Sequence, residues 1–152
     1  MKKIVVLFLG LAILAPSLAW AHCQIPCGIY TDELRFKTIE EHAQTIEKAM
    51  AQIGDKKNEG HQQVRWIMNK ESHAQEIQDI VSAYFLTQRI KPVKVGAEGR
   101  VAYEKSLELL HHMTFYAMKC KQTTDANHVA HLREATKAFH DHYFQGKEHN
   151  HE

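Results

Sequence analysis

Apolar residues recur at steps of three and four along four stretches of this 152-residue chain, which places them on one face of an α-helix in each stretch. The segments between these stretches are short, contain glycine or several polar residues, and lie at 54–60, 91–99 and 123–127. Amphipathic helices joined by short connections pack as antiparallel neighbours. The sequence therefore predicts an all-α fold, an antiparallel (up-down) four-helix bundle, over residues 31–146.

The apolar stripe of each predicted helix defines the core face, and we interpret its aromatic and methionine residues as core. In chain order the four faces contain Ile39, Ala43, Ile46, Met50 and Ile53; Val64, Ile67, Ala74, Ile77, Val81 and Tyr84; Tyr103, Leu107, Leu110, Thr114 and Ala117; and Val129, Leu132, Thr136, Phe139 and Tyr143. The second helix is predicted to be the longest, over about 61–89. Cys120, late in the third helix, is predicted to be a buried or half-buried small residue without a catalytic role.

The first 21 residues have the three parts of a secretory leader. Two lysines precede an apolar run, and the residues AWA at 19–21 fit the A-x-A pattern of a cleavage site. We predict a signal peptide over 1–21, cleavage between Ala21 and His22, and export to the periplasm or to the outside of the cell. A retained membrane anchor is the alternative, but the segment is too short and wrongly flanked for one.

Charge and hydropathy argue against two classes of partner, nucleic acids and membranes. The formal net charge of +1 becomes −1 when the two leader lysines are removed, with histidine counted as neutral. A near-neutral chain without an arginine-rich face gives no support to nucleic-acid binding. Because no later run is long and apolar enough to span a membrane, we expect no stable membrane association.

The segment HCQIPCGIY, residues 22–30, follows the predicted cleavage site directly. Once Ala21 is removed, His22 offers an α-amine and an imidazole, Cys23 offers a backbone nitrogen and a thiolate, and Cys27 offers a second thiolate. The proline and glycine beside Cys27 bend the chain, so that two nitrogens and two thiolates can form a square. This donor set suits Ni(II) or Cu(II) rather than tetrahedral zinc, with the imidazole as a possible axial ligand.

The same segment resembles the nickel hook of nickel superoxide dismutases, whose mature chains begin H-C-x-x-P-C-G-x-Y. The fixed positions that match are His22, Cys23, Pro26, Cys27, Gly28 and Tyr30. The segments RWIMNKESHAQEI, SAYFLTQRIKP and YAMKCKQTTD also resemble the members of that family with export-type leaders, so the resemblance covers 22–146. It implies one nickel ion per subunit, superoxide as substrate, Ni(II)/Ni(III) cycling, and four-helix subunits assembled as a homohexamer.

The resemblance also implies roles for single residues. His22 supplies the amine and the axial imidazole, Cys23 the amide nitrogen and a thiolate, Cys27 the second thiolate, and Tyr30 limits access at the mouth of the site. Tyr84 is matched to a second tyrosine near the site, and Glu40 or Glu41 to an acid that orients the imidazole. Gln24 departs from the family, many members of which have an acidic residue there, but this position is not a ligand.

Alternatives to the dismutase remain at this point. An exported carrier of nickel or copper would use the same hook without turnover, and a structural bundle would have Cys23 joined to Cys27 or both thiols free. The polar tail at 147–152 contains two histidines that could store metal, against the simpler interpretation that they are solvated. His42 and His73 are interpreted as helix-face residues or supports of ligands, rather than as ligands themselves.

Overall fold

The chain is described by a computed structural model, which covers residues 32–148. The predicted leader, the hook with His22, Cys23, Cys27 and Tyr30, and the last four residues of the tail lie outside the described residues. The regular elements are α1 (Asp32–Gly54), α2 (His61–Asp79), a π-helical continuation of α2 (Ile80–Arg89), α3 (Arg100–Gln122) and α4 (Asn127–Glu148). All regular structure within 32–148 is thus helical, as the periodicity predicts.

The four helices form a closed ring of neighbours. α1 packs against α2, α2 against α3, α3 against α4, and α4 returns to α1. With short connections at 55–60, 90–99 and 123–126, this order is that of an up-down bundle and confirms the predicted architecture. Within residues 32–148 no helix is long and apolar enough to cross a membrane.

Aromatic rings fill the end of the bundle where α1 begins. The Phe85 ring lies 5.0 Å from the rings of both Phe36 and Phe139, and Tyr143 lies 5.7 Å from Phe85, all measured between centroids. Phe36, Phe85 and Phe139 are at most 5% exposed. Tilted and edge-to-face pairs of this kind contribute about 0.5–1.5 kcal/mol each beyond the burial of their area. They join the start of α1 to the π-helical segment and to α4.

The predicted core faces are right for α1 as far as Met50 and for α4, and partly wrong for the other two helices. In α3 the buried face contains Ser106, Leu109, Leu110, Met113, Ala117 and Cys120, so the predicted Tyr103, Leu107 and Thr114 lie at its edge. In α2, Val64 and Ile67 are 52% and 40% exposed. The first turns of α2 extend beyond the end of the antiparallel α3, because Lys70 already lies level with Cys120, near that end. Val64 and Ile67 precede Lys70 and therefore lie on this overhang.

The continuation of α2 over Ile80–Arg89 has the wider i→i+5 bonding of a π-helix. The amide of Ile90 donates to the carbonyl of Phe85 at 2.9 Å, and the side chain of Thr87 donates to the carbonyl of Ser82 at 2.7 Å. Residues five apart therefore lie above one another in this segment. This geometry places Tyr84 and Arg89 side by side at the end of the bundle where α1 begins.

Candidate metal centre

The structure shows the part of the bundle from which the hook extends. Tyr30, the last residue of the hook, is followed by Thr31 and then by Asp32, the first residue of α1. The hook therefore leaves the bundle at the N-terminus of α1, beside the π-helical segment and the last turns of α4. We refer to the side chains around Asp32, where the chain enters the bundle from the hook, as the base of the hook.

Four side chains meet at this base, and we refer to them as the Asp32 cluster: Asp32, Tyr84, Arg89 and Tyr143. The hydroxyl of Tyr84 donates to Asp32 Oδ1 at 2.5 Å, and that of Tyr143 donates to Oδ2 at 2.8 Å. Arg89 Nε lies 2.9 Å from Oδ1 as an ion pair, although its N–H is not directed at that oxygen. Arg89 Nη2 donates instead to the Tyr84 hydroxyl at 2.8 Å.

Both tyrosines of the Asp32 cluster keep their protons to high pH. Burial and the hydrogen bond to Asp32 raise the pKa of Tyr84, and these effects outweigh that of Arg89, which lowers it. Burial, followed by Asp32, raises the pKa of Tyr143 far above its ordinary value. The reason is that an ionised tyrosine beside the Asp32 carboxylate would place two negative charges in a poorly solvated position. The two hydroxyls therefore act as fixed donors to Asp32.

Two guanidinium groups flank the ring of Tyr84. The central guanidinium carbon of Arg89 lies 4.7 Å from the ring centroid, and that of Arg35 lies 5.2 Å from it. Cation–π contacts of this type contribute about 0.5–2 kcal/mol, depending on their exposure. They also place two positive charges at the end of the bundle where the hook begins.

The remaining predicted site residues fall in different places. Tyr84 is 2% exposed and belongs to the Asp32 cluster, so it does lie near the attachment point of the hook. Glu40 is about 12 Å further along α1, where its Oε1 accepts from Arg133 Nε at 3.0 Å. Glu41 is exposed. The structure therefore gives the two candidate acids distinct surroundings and brings neither into the Asp32 cluster.

Sequence reasoning missed Asp32, Arg89 and Tyr143 as parts of this base. Asp32 carries one signal, since an acidic residue in the first turn of a helix is favoured by the helix dipole. Nothing in the sequence links it to Tyr84 or Tyr143, which are 52 and 111 residues away.

Two histidines interpreted from the sequence as helix-face residues contact each other at the surface between α1 and α2. His42 Nδ1 on α1 lies 2.7 Å from His73 Nδ1 on α2. In the part of the chain that the structure describes, no group of three or more histidine, cysteine, aspartate or glutamate side chains is arranged to hold a metal ion. The predicted nickel ligands all precede this part. Cys120 is free and fully buried in the core, as predicted.

The model of the family described as nickel-containing superoxide dismutase matches residues 17–147. The match includes the hook at 22–30 and nearly all of the four-helix bundle. No curated protein and no solved structure matches the chain. Members of this family are superoxide dismutases with a nickel cofactor in each subunit, and a match over most of the chain extends that activity and cofactor to it. The chain belongs to the nickel-containing superoxide dismutase family.

Proposed function

We propose that the chain is exported, is cleaved between Ala21 and His22, and then disproportionates superoxide at a nickel site formed by residues 22–30. The observation that carries this proposal is the position of HCQIPCGIY directly behind an A-x-A box in a chain of this family. The α-amine of His22 becomes available as a ligand only after cleavage. The same processing step that releases the chain from its leader therefore completes the site.

The donor set of the hook fits nickel. We assign the amine and imidazole of His22, the backbone nitrogen and thiolate of Cys23, and the thiolate of Cys27 as the ligands. Thiolates and an ionised amide are strong electron donors, and two nitrogens with two sulfurs match the square arrangement that Ni(II) accepts. When bound, nickel supplies one-electron chemistry by alternating between Ni(II) and Ni(III).

The overall reaction converts two superoxide ions and two protons into one dioxygen and one hydrogen peroxide. Tyr30 would limit access to the site, so that a small anion enters and larger molecules do not. Arg35 places a positive charge at the base of the hook, where Arg89 is already paired with Asp32, and this charge favours the approach of an anion. The Asp32 cluster fixes the first residue of α1, two residues after Tyr30, to the π-helical segment and to α4.

We further propose that the chain forms a homo-oligomer, with the hexamer of the family as the expected state. A nine-residue segment at a chain end cannot bury itself, so neighbouring subunits would have to enclose the hook. The bundle also offers an apolar patch for subunit contacts on the overhanging turns of α2, at the end of the bundle away from the hook. Val64, Ile67 and Met68 lie there at adjacent helical positions and are 52%, 40% and 63% exposed.

The experiment that tests the enzymatic proposal uses protein purified by its native export route. Intact mass, metal content and superoxide decay are measured on the same sample. We expect a chain that starts at His22, one nickel per chain, and decay that is lost in Cys27→Ser but retained in the matched Cys120→Ser control. Bound metal without turnover would indicate a carrier instead. A metal-free chain with Cys23 joined to Cys27 would indicate a structural bundle.

The oligomer is tested separately by light scattering after size exclusion. Met68→Glu should shift the molar mass towards that of a single subunit, because it places a charge in the apolar patch. Val101→Glu is the matched control, since Val101 is 82% exposed on α3 and lies away from the patch. Equal masses for all three proteins would contradict the assignment of this patch to the interface.

A further inference from the structure

His42 and His73 form the closest pair of histidine rings among the described residues. Their Nδ1 atoms are 2.7 Å apart, and their ring centroids are 4.9 Å apart with the planes inclined by 55°. The two residues are 31 positions apart in the sequence and belong to neighbouring helices, α1 and α2. Both side chains are partly buried. The packing of the two helices thus brings two imidazole nitrogens into direct contact.

Two neutral imidazoles in this arrangement share a single proton between the facing nitrogens. One Nδ1 must donate its hydrogen and the other must accept it, because two N–H groups cannot face each other at hydrogen-bond distance. Burial, and then the nearby His73, lower the pKa of His42, which keeps that ring neutral. Neutral imidazole is the form that binds transition metals.

The distance between the nitrogens identifies the kind of ion that would fit. With metal–imidazole bonds of about 2.0 Å, two ligands at a right angle are about 2.8 Å apart, whereas two tetrahedral ligands are about 3.3 Å apart. The observed 2.7 Å is the length of the hydrogen bond between the rings, and it lies near the right-angle value, so the nitrogens need to turn off their common line but not to move apart. Right angles between neighbouring ligands are typical of Cu(II) and Ni(II), and imidazole is a suitable donor for both.

We propose that His42 and His73 form a second, exchangeable site for a square-planar divalent ion, Cu(II) or Ni(II), on the surface between α1 and α2. The site is separate from the hook, because both residues are on the bundle. Glu76, one turn after His73, and Glu41, beside His42, are exposed carboxylates whose charges act on His42. No third ligand already converges on the pair within the described residues, so water would fill the other positions and the ion would exchange readily.

Occupation of the site requires a shift of one proton within the donor ring. The Nδ1–H bond of that ring breaks and an Nε2–H bond forms through solvent, after which both Nδ1 lone pairs are free. The proton moves within one ring, so a neutral pair takes up the ion without losing a proton overall. The hydrogen bond that is given up contributes only about 0.5–1.5 kcal/mol, which two metal–nitrogen bonds readily offset.

The test measures Cu(II) binding to nickel-loaded, mature protein in which His149 and His151 are replaced by glutamine, so that the tail cannot contribute. Copper chloride is titrated against a competing chelator, and the electron paramagnetic resonance spectrum of the bound ion is recorded. We expect one copper per chain beyond the nickel, with two imidazole nitrogens coupled to it. His42→Gln and His73→Gln should each weaken binding at least tenfold, and the double variant should bind no copper beyond the hook.

His61→Gln is the matched control, because His61 is exposed at the start of α2 and is not part of the pair. It should leave the affinity unchanged. The proposal fails if either single variant keeps the full affinity, if His61→Gln has the same effect, or if no copper beyond the hook is bound. The spectrum of protein with both histidines intact decides the issue even if a variant folds poorly, since fewer than two coupled imidazoles overturns the assignment.

Discussion

Asp32 is the residue on which the base of the hook depends most. Its side chain is 13% exposed and its carboxylate contacts Tyr84, Tyr143 and Arg89. We expect Asp32→Asn to lower the free energy of unfolding by about 2–3 kcal/mol, because it leaves a partly buried guanidinium without its counter-ion. Urea unfolding followed by circular dichroism measures this change.

The control for Asp32→Asn is Glu104→Gln. Glu104 forms an ion pair with Arg100 whose acidic side chain is 57% exposed, and exposed pairs contribute little. If the two variants shift the urea midpoint equally, the Asp32 cluster has no special role in stability.

Of the three cysteines in the chain, Cys120 should not react with thiol reagents in the folded protein. Its thiol is fully buried, and burial raises its pKa to about 11. At pH 8 the thiolate, which is the form that attacks iodoacetamide, is therefore scarce as well as enclosed. In nickel-free, reduced protein, mass spectrometry should show alkylation of Cys23 and Cys27 alone, and of all three cysteines in urea. Rapid labelling of Cys120 before unfolding would contradict the assigned packing.

At the scale of single residues, the predicted nickel ligands could be identified from the sequence, but the Asp32 cluster could not. His22, Cys23 and Cys27 lie within six consecutive positions, so their combined chemistry is visible in the sequence alone. The Asp32 cluster joins residues from α1, the π-helical segment and α4. Each of these residues has an ordinary explanation when considered alone. Only the folded chain brings them together.

Lys70 links two helices in a way that makes it a sensitive point of the bundle. It is 3% exposed, and its ammonium donates to the carbonyl of Cys120 at 2.7 Å and to that of Lys121. These carbonyls belong to the last turn of α3, where amide partners are lacking and the helix dipole favours a positive charge. Lys70 therefore acts as a C-terminal cap supplied by α2.

We expect Lys70→Met to reduce the free energy of unfolding by about 2 kcal/mol or more, because it leaves buried carbonyls without a donor. Thermal and urea unfolding both measure this loss. Lys105→Met provides the comparison, since Lys105 is 50% exposed on the outer face of α3. Unchanged stability in Lys70→Met would mean that water or another side chain satisfies the carbonyls.

At the scale of elements, the sequence predicts where helices lie better than how they are wound. The predicted second helix over about 61–89 covers both α2 and its π-helical continuation. Apolar periodicity cannot distinguish the two windings over only ten residues, since the patterns differ by less than a turn. Here the wider winding accompanies the contacts of Tyr84 and Arg89 with Asp32, which are tertiary. The exposed Val64 and Ile67 likewise reflect the end of α3, which their own pattern does not contain.

At the scale of the whole molecule, the bundle should lose stability in alkaline solution. The pKa values of Tyr84 and Tyr143 are raised in the folded state, relative to about 10 in an unfolded chain. Their stabilising contribution is therefore complete below pH 10 and is lost as the pH rises towards the folded pKa values. The urea midpoint should fall less steeply above pH 10 in Tyr143→Phe than in the unmodified protein. Tyr103→Phe, on α3, should keep the full dependence.

The bundle should fold without the hook, while nickel binding and catalysis should require it. Within the described residues, the buried core cluster runs from Phe36 to Tyr143 and contains residues of all four helices, which gives the bundle a core of its own. A chain that begins at Thr31 should therefore keep its helical circular dichroism and a cooperative transition. We expect its Tm to fall by less than about 4 °C relative to nickel-free full-length protein, which corresponds to about 1 kcal/mol.

The same truncated chain should lack the one nickel ion per chain that we assign to the hook, and should show no dismutase activity. Nickel should raise the Tm of the full-length protein, because a ligand stabilises the state that binds it, and should raise that of the truncated chain much less, since only the exchangeable His42–His73 pair remains there. A truncated chain that fails to fold would show that the bundle depends on the hook. A truncated chain that still removes superoxide would place the active site on the bundle, and would overturn the assignment of His22, Cys23 and Cys27.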